Sequence, residues 1–122
     1  MILYGVVEIV IQGLRPSSKK NHRRNFGHVL LPSLAYLKFH DLVAEFLLPF
    51  AHLHLATPLR MNVLYEIKGK YHQDLDNALA SIGDCLQDYG VIEDDDLLTD
   101  VHIVKSNGHK DWKIVIKIDI IE

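Results

Sequence analysis

Two groups of carboxylates frame the stretch DLDNALASIGDCLQDYGVIEDDD, residues 74–96. Asp74 and Asp76 stand at its front, and Glu93, Asp94, Asp95 and Asp96 close it. From Asp74 through Asp100 there are nine acidic residues and no Lys or Arg. The rest of the chain carries thirteen basic residues against seven acidic ones, a net of +6. Acidity gathered in one place on an otherwise basic protein is the arrangement expected of a divalent-metal site set in a surface that attracts polyanions. Three or four convergent carboxylates need a counter-charge to stay ionised. Oxygen donors without His or Cys select hard cations, Mg²⁺ or Mn²⁺. A metal held this way makes an attacking water more acidic and stabilises the leaving oxygen of a phosphodiester. The same residues also suit a plainer assignment, with Asp74 as a helix cap, Asp76 as a charge facing the helix dipole and 93–96 as a solvated loop.

Positioning these groups falls to a helix expected from about Asp74. Leu75, Leu79, Ile82 and Leu86 recur at helical spacing, and Gly90 suits the left-handed residue that stops a helix. Gly83 weakens the pattern by about 1 kcal/mol relative to Ala unless a close packing partner needs the space. Within a regular helix residues i and i+2 diverge by about 200°. Asp74 and Asp76 therefore converge only if Asp74 sits at or before the cap. An extended return of Val91–Asp96 alongside the helix would bring one or two of the later carboxylates towards them.

The remaining pattern supplies a scaffold. Residues 2–12 are apolar on both parities and read as a strand covered on both faces. Ser33 caps a helix expected over 33–50, with Leu34, Leu37, Val43, Phe46 and Leu47 on its apolar face. Residues 59–68 alternate, Met61, Val63, Tyr65 and Ile67 inward, as a half-buried strand does. Val101, Ile103 and Lys105 alternate with His102 and Val104. Ser106-Asn107-Gly108-His109 reads as a hairpin turn into a last strand carrying Ile114, Ile116, Ile118 and Ile120. The order β-α-β-α-β-β predicts a two-layer α+β fold, helices packed on a mixed sheet, as a single domain over 1–122.

Between Glu8 and Asp41 no acid occurs, while Arg15, Lys19, Lys20, Arg23, Arg24 and Lys38 all do. The Pro-, Ser-, Asn- and Gly-containing segment 14–28 predicts a basic loop. Such a loop suits neutralisation of nucleic-acid phosphates, and it also suits a plain solvated surface. His40, His52 and His54 have no spacing that marks metal ligands. The one cysteine, Cys85, cannot form an intramolecular disulfide, which favours a reducing, cytoplasmic setting. The N-terminal apolar run is interrupted by Glu8 and too short to span a bilayer, so no membrane partner is expected.

Three motifs in order resemble the RusA family of Holliday-junction resolvases, small phage and bacterial endodeoxyribonucleases. Pro16-Ser17-Ser18-Lys19-Lys20-Asn21 is similar to the family's early loop. Asp74-Leu75-Asp76-Asn77 matches its D-L-D-N helix head. Asp84, followed by Gly90-Val91-Ile92-Glu93-Asp94-Asp95, matches its later acidic motif. The resemblance implies a homodimeric, Mg²⁺- or Mn²⁺-dependent nuclease acting on branched DNA, the four-way junction. It places metal-binding and catalytic carboxylates on Asp74, Asp76 and Asp95, with Asp94 beside them. DNA-binding residues would be Arg15, Lys19, Lys20, Arg23, Arg24 and Lys70. The family's lysine four residues after the second aspartate is Ala80 here. Either Lys70, Lys68 or another base replaces it, or the chain is a DNA-binding relative with weak or no catalysis.

Overall fold

The computed structural model describes residues 3–17, 24–26, 29–31 and 33–121. Four strands form the main sheet: β1 (Leu3–Gln12), β4 (Leu59–Lys68), β5 (Leu98–His109) and β6 (Lys113–Ile121). Their order is β1-β6-β4-β5, with β6 antiparallel to β1 and β4, and β5 parallel to β4. A two-stranded ribbon, β2 (Arg24–Phe26) with β3 (Val29–Leu31), stands apart from it. Helices α1 (Leu34–Leu47) and α2 (Leu75–Asp88) complete the expected mixed-sheet α+β architecture. No described helix is long and apolar enough to cross a membrane.

Strand alternation dictates which side chains the helices cover. In β4, Leu59, Met61, Val63, Tyr65 and Ile67 are all buried, as a period of two requires. Register aligns them across the sheet: Ile9, Ile116, Val63 and Ile103 make one row, and Ile11, Ile114, Tyr65 and Lys105 the next. Tyr36, Phe39, Val43 and Leu47 of α1 and Ala78, Ile82, Cys85 and Leu86 of α2 join this cluster. Each large apolar side chain buried there contributes about 1.5–3 kcal/mol. Truncating Ile116, fully buried between Ile9 and Val63, to Ala would cost about 2–5 kcal/mol.

Several local expectations are corrected. Strand β1 is covered on one face, burying Ile9 and Ile11 while Glu8, Val10 and Gln12 remain exposed. Helix α1 buries the Tyr36 stripe and leaves Leu34 and Leu37 exposed, because its two aromatic rings fill the space over the sheet. It ends at Leu47, and a 3-10 turn over Leu48–Leu53 carries Pro49. The segment expected to be loop to residue 28 contains β2 and leads into β3.

The largest correction concerns the last two strands, which form no hairpin. Strand β6 lies between β1 and β4, whereas β5 lies on the other side of β4. Ser106 to His109 stay inside β5, where Gly108 N–H donates to Gly69 O at 2.8 Å and Gly69 N–H donates to His109 O at 3.0 Å. The Asn-Gly pair thus bonds to the turn of the neighbouring parallel strand. Strand β6 carries fully buried Ile114, Ile116 and Ile118, and a central place covers more of that surface than an edge would.

Candidate functional site

Strand β4 leads into α2 through Gly69, whose φ of +60° is accessible to glycine at little cost, and then through Lys70 to Gln73. Gln73 is 6 % exposed and organises this approach. Its side-chain oxygen accepts from Arg15 Nε at 3.0 Å, and its amide donates to Pro16 O at 3.4 Å. Its backbone carbonyl accepts from Lys105 Nζ at 3.1 Å. Asn107 Nδ2 donates to Tyr71 O at 3.1 Å, so β5 is tied to the same approach twice. The Arg15 guanidinium lies 5.4 Å from the Tyr71 ring centre and 5.5 Å from that of Trp112, within cation–π range. A cavity of about 460 Å³ opens beside it, with Arg15, Pro16, Lys38, Gln73 and Trp112 in its wall.

Asp74 is the N-cap of α2. Its backbone is extended, with φ −76° and ψ 124°, and its Oδ1 accepts from Asp76 N–H at 2.8 Å. Asp76 occupies the first turn, and both carboxylates are exposed. The helix N-terminus favours negative charge there through its free N–H groups. The cap expected at Asp74 is therefore present, and capping leaves the carboxylate at the surface.

At the far end of α2, Gly90 has φ +78°, and a β-carbon there would press on His54 Cε1 at 3.2 Å and the Ala51 carbonyl at 3.3 Å. The chain then turns back. Leu55 N–H donates to Val91 O at 3.0 Å and Glu93 N–H donates to Leu55 O at 2.8 Å. Asp94 caps a 3-10 turn over Asp95–Leu97, its Oδ1 accepting from Asp96 N–H at 2.9 Å. Gln87 Oε1 accepts from Asp95 N–H at 2.9 Å, which holds the turn on α2. A β-carbon on Gly83 would lie 3.8 Å from Asp95 Cβ.

Among the described residues, Asp94, Asp95 and Asp96 form a group of three whose ligand atoms lie within 4.8 Å of one another. Burial pushes the Asp95 carboxyl above its ordinary range, and the hydrogen bond and charge of Asp94, then the charges of Asp96 and Asp84, push the same way. Crowded, oxygen-only donors of this kind fit a hard divalent cation, which would relieve their repulsion. Asp76, Ala80, Gly83 and Gln87 fall on one stripe of α2. The rise of 1.5 Å per residue puts Asp76 about 10 Å along the axis from Gly83, the seat of Asp95. Ala80 is exposed between them.

Of the expected DNA-binding residues, Arg15 is held at the helix head and Lys70 is exposed in the turn after β4. The backbone of Arg24 lies in β2, and Lys19, Lys20 and Arg23 lie outside the described residues. His40 is engaged structurally, between Asp88 Oδ2 at 3.1 Å and the Tyr89 hydroxyl at 3.2 Å. Sequence reasoning missed Gln73, Tyr71, Trp112 and Lys105. For Lys105 a signal existed, since its parity puts it on the face of Val101 and Ile103.

No curated protein matches the chain. The family model described as Endodeoxyribonuclease RusA matches residues 13–119, which takes in the Arg15 segment, both helices, β4, β5 and all but the last two residues of β6. With nearly its whole length matched, the chain belongs to the RusA endodeoxyribonuclease family.

Proposed function

We propose that the chain is a divalent-metal-dependent endodeoxyribonuclease that resolves four-way DNA junctions by paired nicking. The family match over 13–119 carries this reading, and the acidic triplet Asp94, Asp95 and Asp96 beside α2 supports it. Asp74, Asp76 and Asp95 would hold Mg²⁺ or Mn²⁺, with Asp94 beside them. When bound, the metal supplies a more acidic water and a charge opposite the developing oxyanion.

The chain's own groups do the rest. Asp74 keeps its carboxylate at the helix head by capping it. Gln73 orients the Arg15 guanidinium, and the Tyr71 and Trp112 rings flank it, so that it meets a backbone phosphate with little freedom left to lose. Lys70 extends the cationic surface, and the basic segment with Lys19, Lys20, Arg23 and Arg24 would bind phosphates too, each contact releasing counterions. Cutting opposed strands needs two sites related by a two-fold axis, hence a homodimer.

The test incubates purified protein with a labelled four-way junction, with and without Mg²⁺ or Mn²⁺, beside Asp74→Asn. Asparagine caps helices as well as aspartate does, so the fold is kept while a ligand is weakened. Paired nicks that need metal and fall by at least about 10²-fold in the variant are expected. Nicks indifferent to metal and to Asp74 would overturn the assignment. Ala80 favours a second reading, a junction-binding relative with weak catalysis, which predicts salt-dependent binding without nicks.

A further inference from the structure

Hydrolysis of a phosphodiester places an anionic phosphate beside carboxylates. The attacking water gives up a proton as its oxygen joins phosphorus. The bond to the leaving sugar oxygen breaks with its electron pair, and that oxygen takes up a proton. Negative charge on the phosphoryl oxygens rises on the way, so a cation fixed beside them binds the transition state more tightly than the ground state. From Asp74 through Asp100 the sequence contributes no cation, and the stripe between Asp76 and the seat of Asp95 presents only the methyl group of Ala80.

The fold brings two cations to the head of α2 from outside that stretch, Arg15 and Lys105, both through Gln73. Arg15 bonds to the Gln73 side chain and lies beside two aromatic rings. Lys105 reaches the Gln73 backbone carbonyl, one residue before Asp74. Covalent geometry puts that carbonyl oxygen within about 3 Å of Asp74 Cα, so Nζ lies within about 6 Å of Asp74 Cα. Register explains the reach. Lys105 is level with Tyr65 in the row that runs through Ile114 to Ile11, on the helix-covered side of the sheet. As the last inward residue of that row on an edge strand, it extends past the core towards the approach to α2. An ammonium has three donors, and the carbonyl takes one.

We infer that Lys105 is a catalytic residue of this nuclease, its ammonium contacting the scissile phosphate beside Asp74 and stabilising the charge that develops there. The inference rests on the proposed nuclease activity. Lys105 also ties β5 to the α2 approach, and the test separates the two roles. Lys105→Met and the double variant Lys105→Met/Ala80→Lys are assayed for junction nicking in Mg²⁺ and for junction binding in Ca²⁺, beside the wild type and Asp74→Asn, with thermal melts of each. Ala80 is exposed on the stripe between the carboxylates, so a lysine there restores charge without touching Gln73.

The expected result is a loss of nicking of about 10²–10³-fold in Lys105→Met, a junction Kd within about tenfold of wild type, and recovery of at least about tenfold in the double variant. If Lys105→Met does not fold, Lys105→Gln, which keeps a donor for the carbonyl and removes the charge, takes its place in both variants. Undiminished nicking, or a loss that Ala80→Lys does not recover, would overturn the inference and leave the wild-type activity standing. A wild type that binds without nicking would overturn activity and inference together.

Discussion

At the head of α2, Asp74 and Asp76 stand among cations and hydrogen-bond donors, with Arg15 and Lys105 both fastened to buried Gln73. Toward its other end, Asp94, Asp95 and Asp96 crowd one another above Gly83 and Gln87, with Asp84 nearby. The Asp95 carboxyl is pushed up by burial and by its acidic neighbours. The fold thus brings two cations to the residue before Asp74, whereas the far group sets acid against acid. The first arrangement suits holding a phosphate beside the proposed ligands Asp74 and Asp76, and the second suits carboxylates whose repulsion an external cation would relieve.

The sharpest way to break that contrast is Asp95→Asn. If the far group holds the metal, nicking falls by at least about 10²-fold, and the rise in Tm that Mg²⁺ gives the wild type disappears. A full Mg²⁺-induced rise in the variant would move the metal to the head. Gln73→Ala attacks the other end. It removes the partner of Arg15 and the donor to Pro16 O in a buried place, at a cost of about 1–3 kcal/mol. At about 3–5 °C per kcal/mol for a chain of this size, the Tm should fall by several degrees. Junction affinity should fall with it, since Arg15 loses its orientation. Unchanged affinity would show that Arg15 binds phosphate without Gln73.

A smaller effect probes the far group by pH in metal-free buffer. The folded Asp95 carboxyl takes up its proton at a higher pH than the unfolded one, whose ordinary value is 3.8. The stability this contributes is present below the ordinary value and is lost as pH rises through the raised one. The difference in Tm between the wild type and Asp95→Asn should therefore move against the wild type as pH rises across that window. A flat difference would remove the crowding of charge at the far group.

How much of this was legible in the sequence varied with how local the cause was. The α2 cap at Asp74, its stop at Gly90 and the alternation of β4 depend on neighbours within a few residues, and all three appear where the pattern puts them. The Asn107-Gly108 turn failed because β6 finds more burial between β1 and β4 than beside β5, a competition that no local pattern records. Helix α1 and its Ser33 cap appear as expected, with Val43 and Leu47 buried, but Leu34 and Leu37 stay exposed because Tyr36 and Phe39 fill the sheet-facing space. At the candidate site the carboxylates were legible from their density. Gln73 was not, because its role depends on a contact 58 residues away in sequence, and for Lys105 parity gave its face but not its partner, 32 residues away.

Gly83 tests the seat of the far group with the smallest change. In a helix interior glycine costs about 1 kcal/mol relative to alanine, so its presence invites the idea that Asp95 needs the space. The geometry says otherwise for a single methyl. An added β-carbon would meet Asp95 Cβ at 3.8 Å and Leu98 Cδ1 at 4.0 Å, ordinary van der Waals distances that require nothing to move. Gly83→Ala should therefore stabilise the protein by about 0.5–1 kcal/mol and raise the Tm by about 2–5 °C. Gly83→Val adds two further carbons towards Asp95 and loses rotamer freedom against the preceding turn, so it should lower the Tm instead. If alanine also lowers it, the 93–97 turn packs on α2 more tightly than these distances allow, and the far group is held rigidly by the helix before any cation arrives.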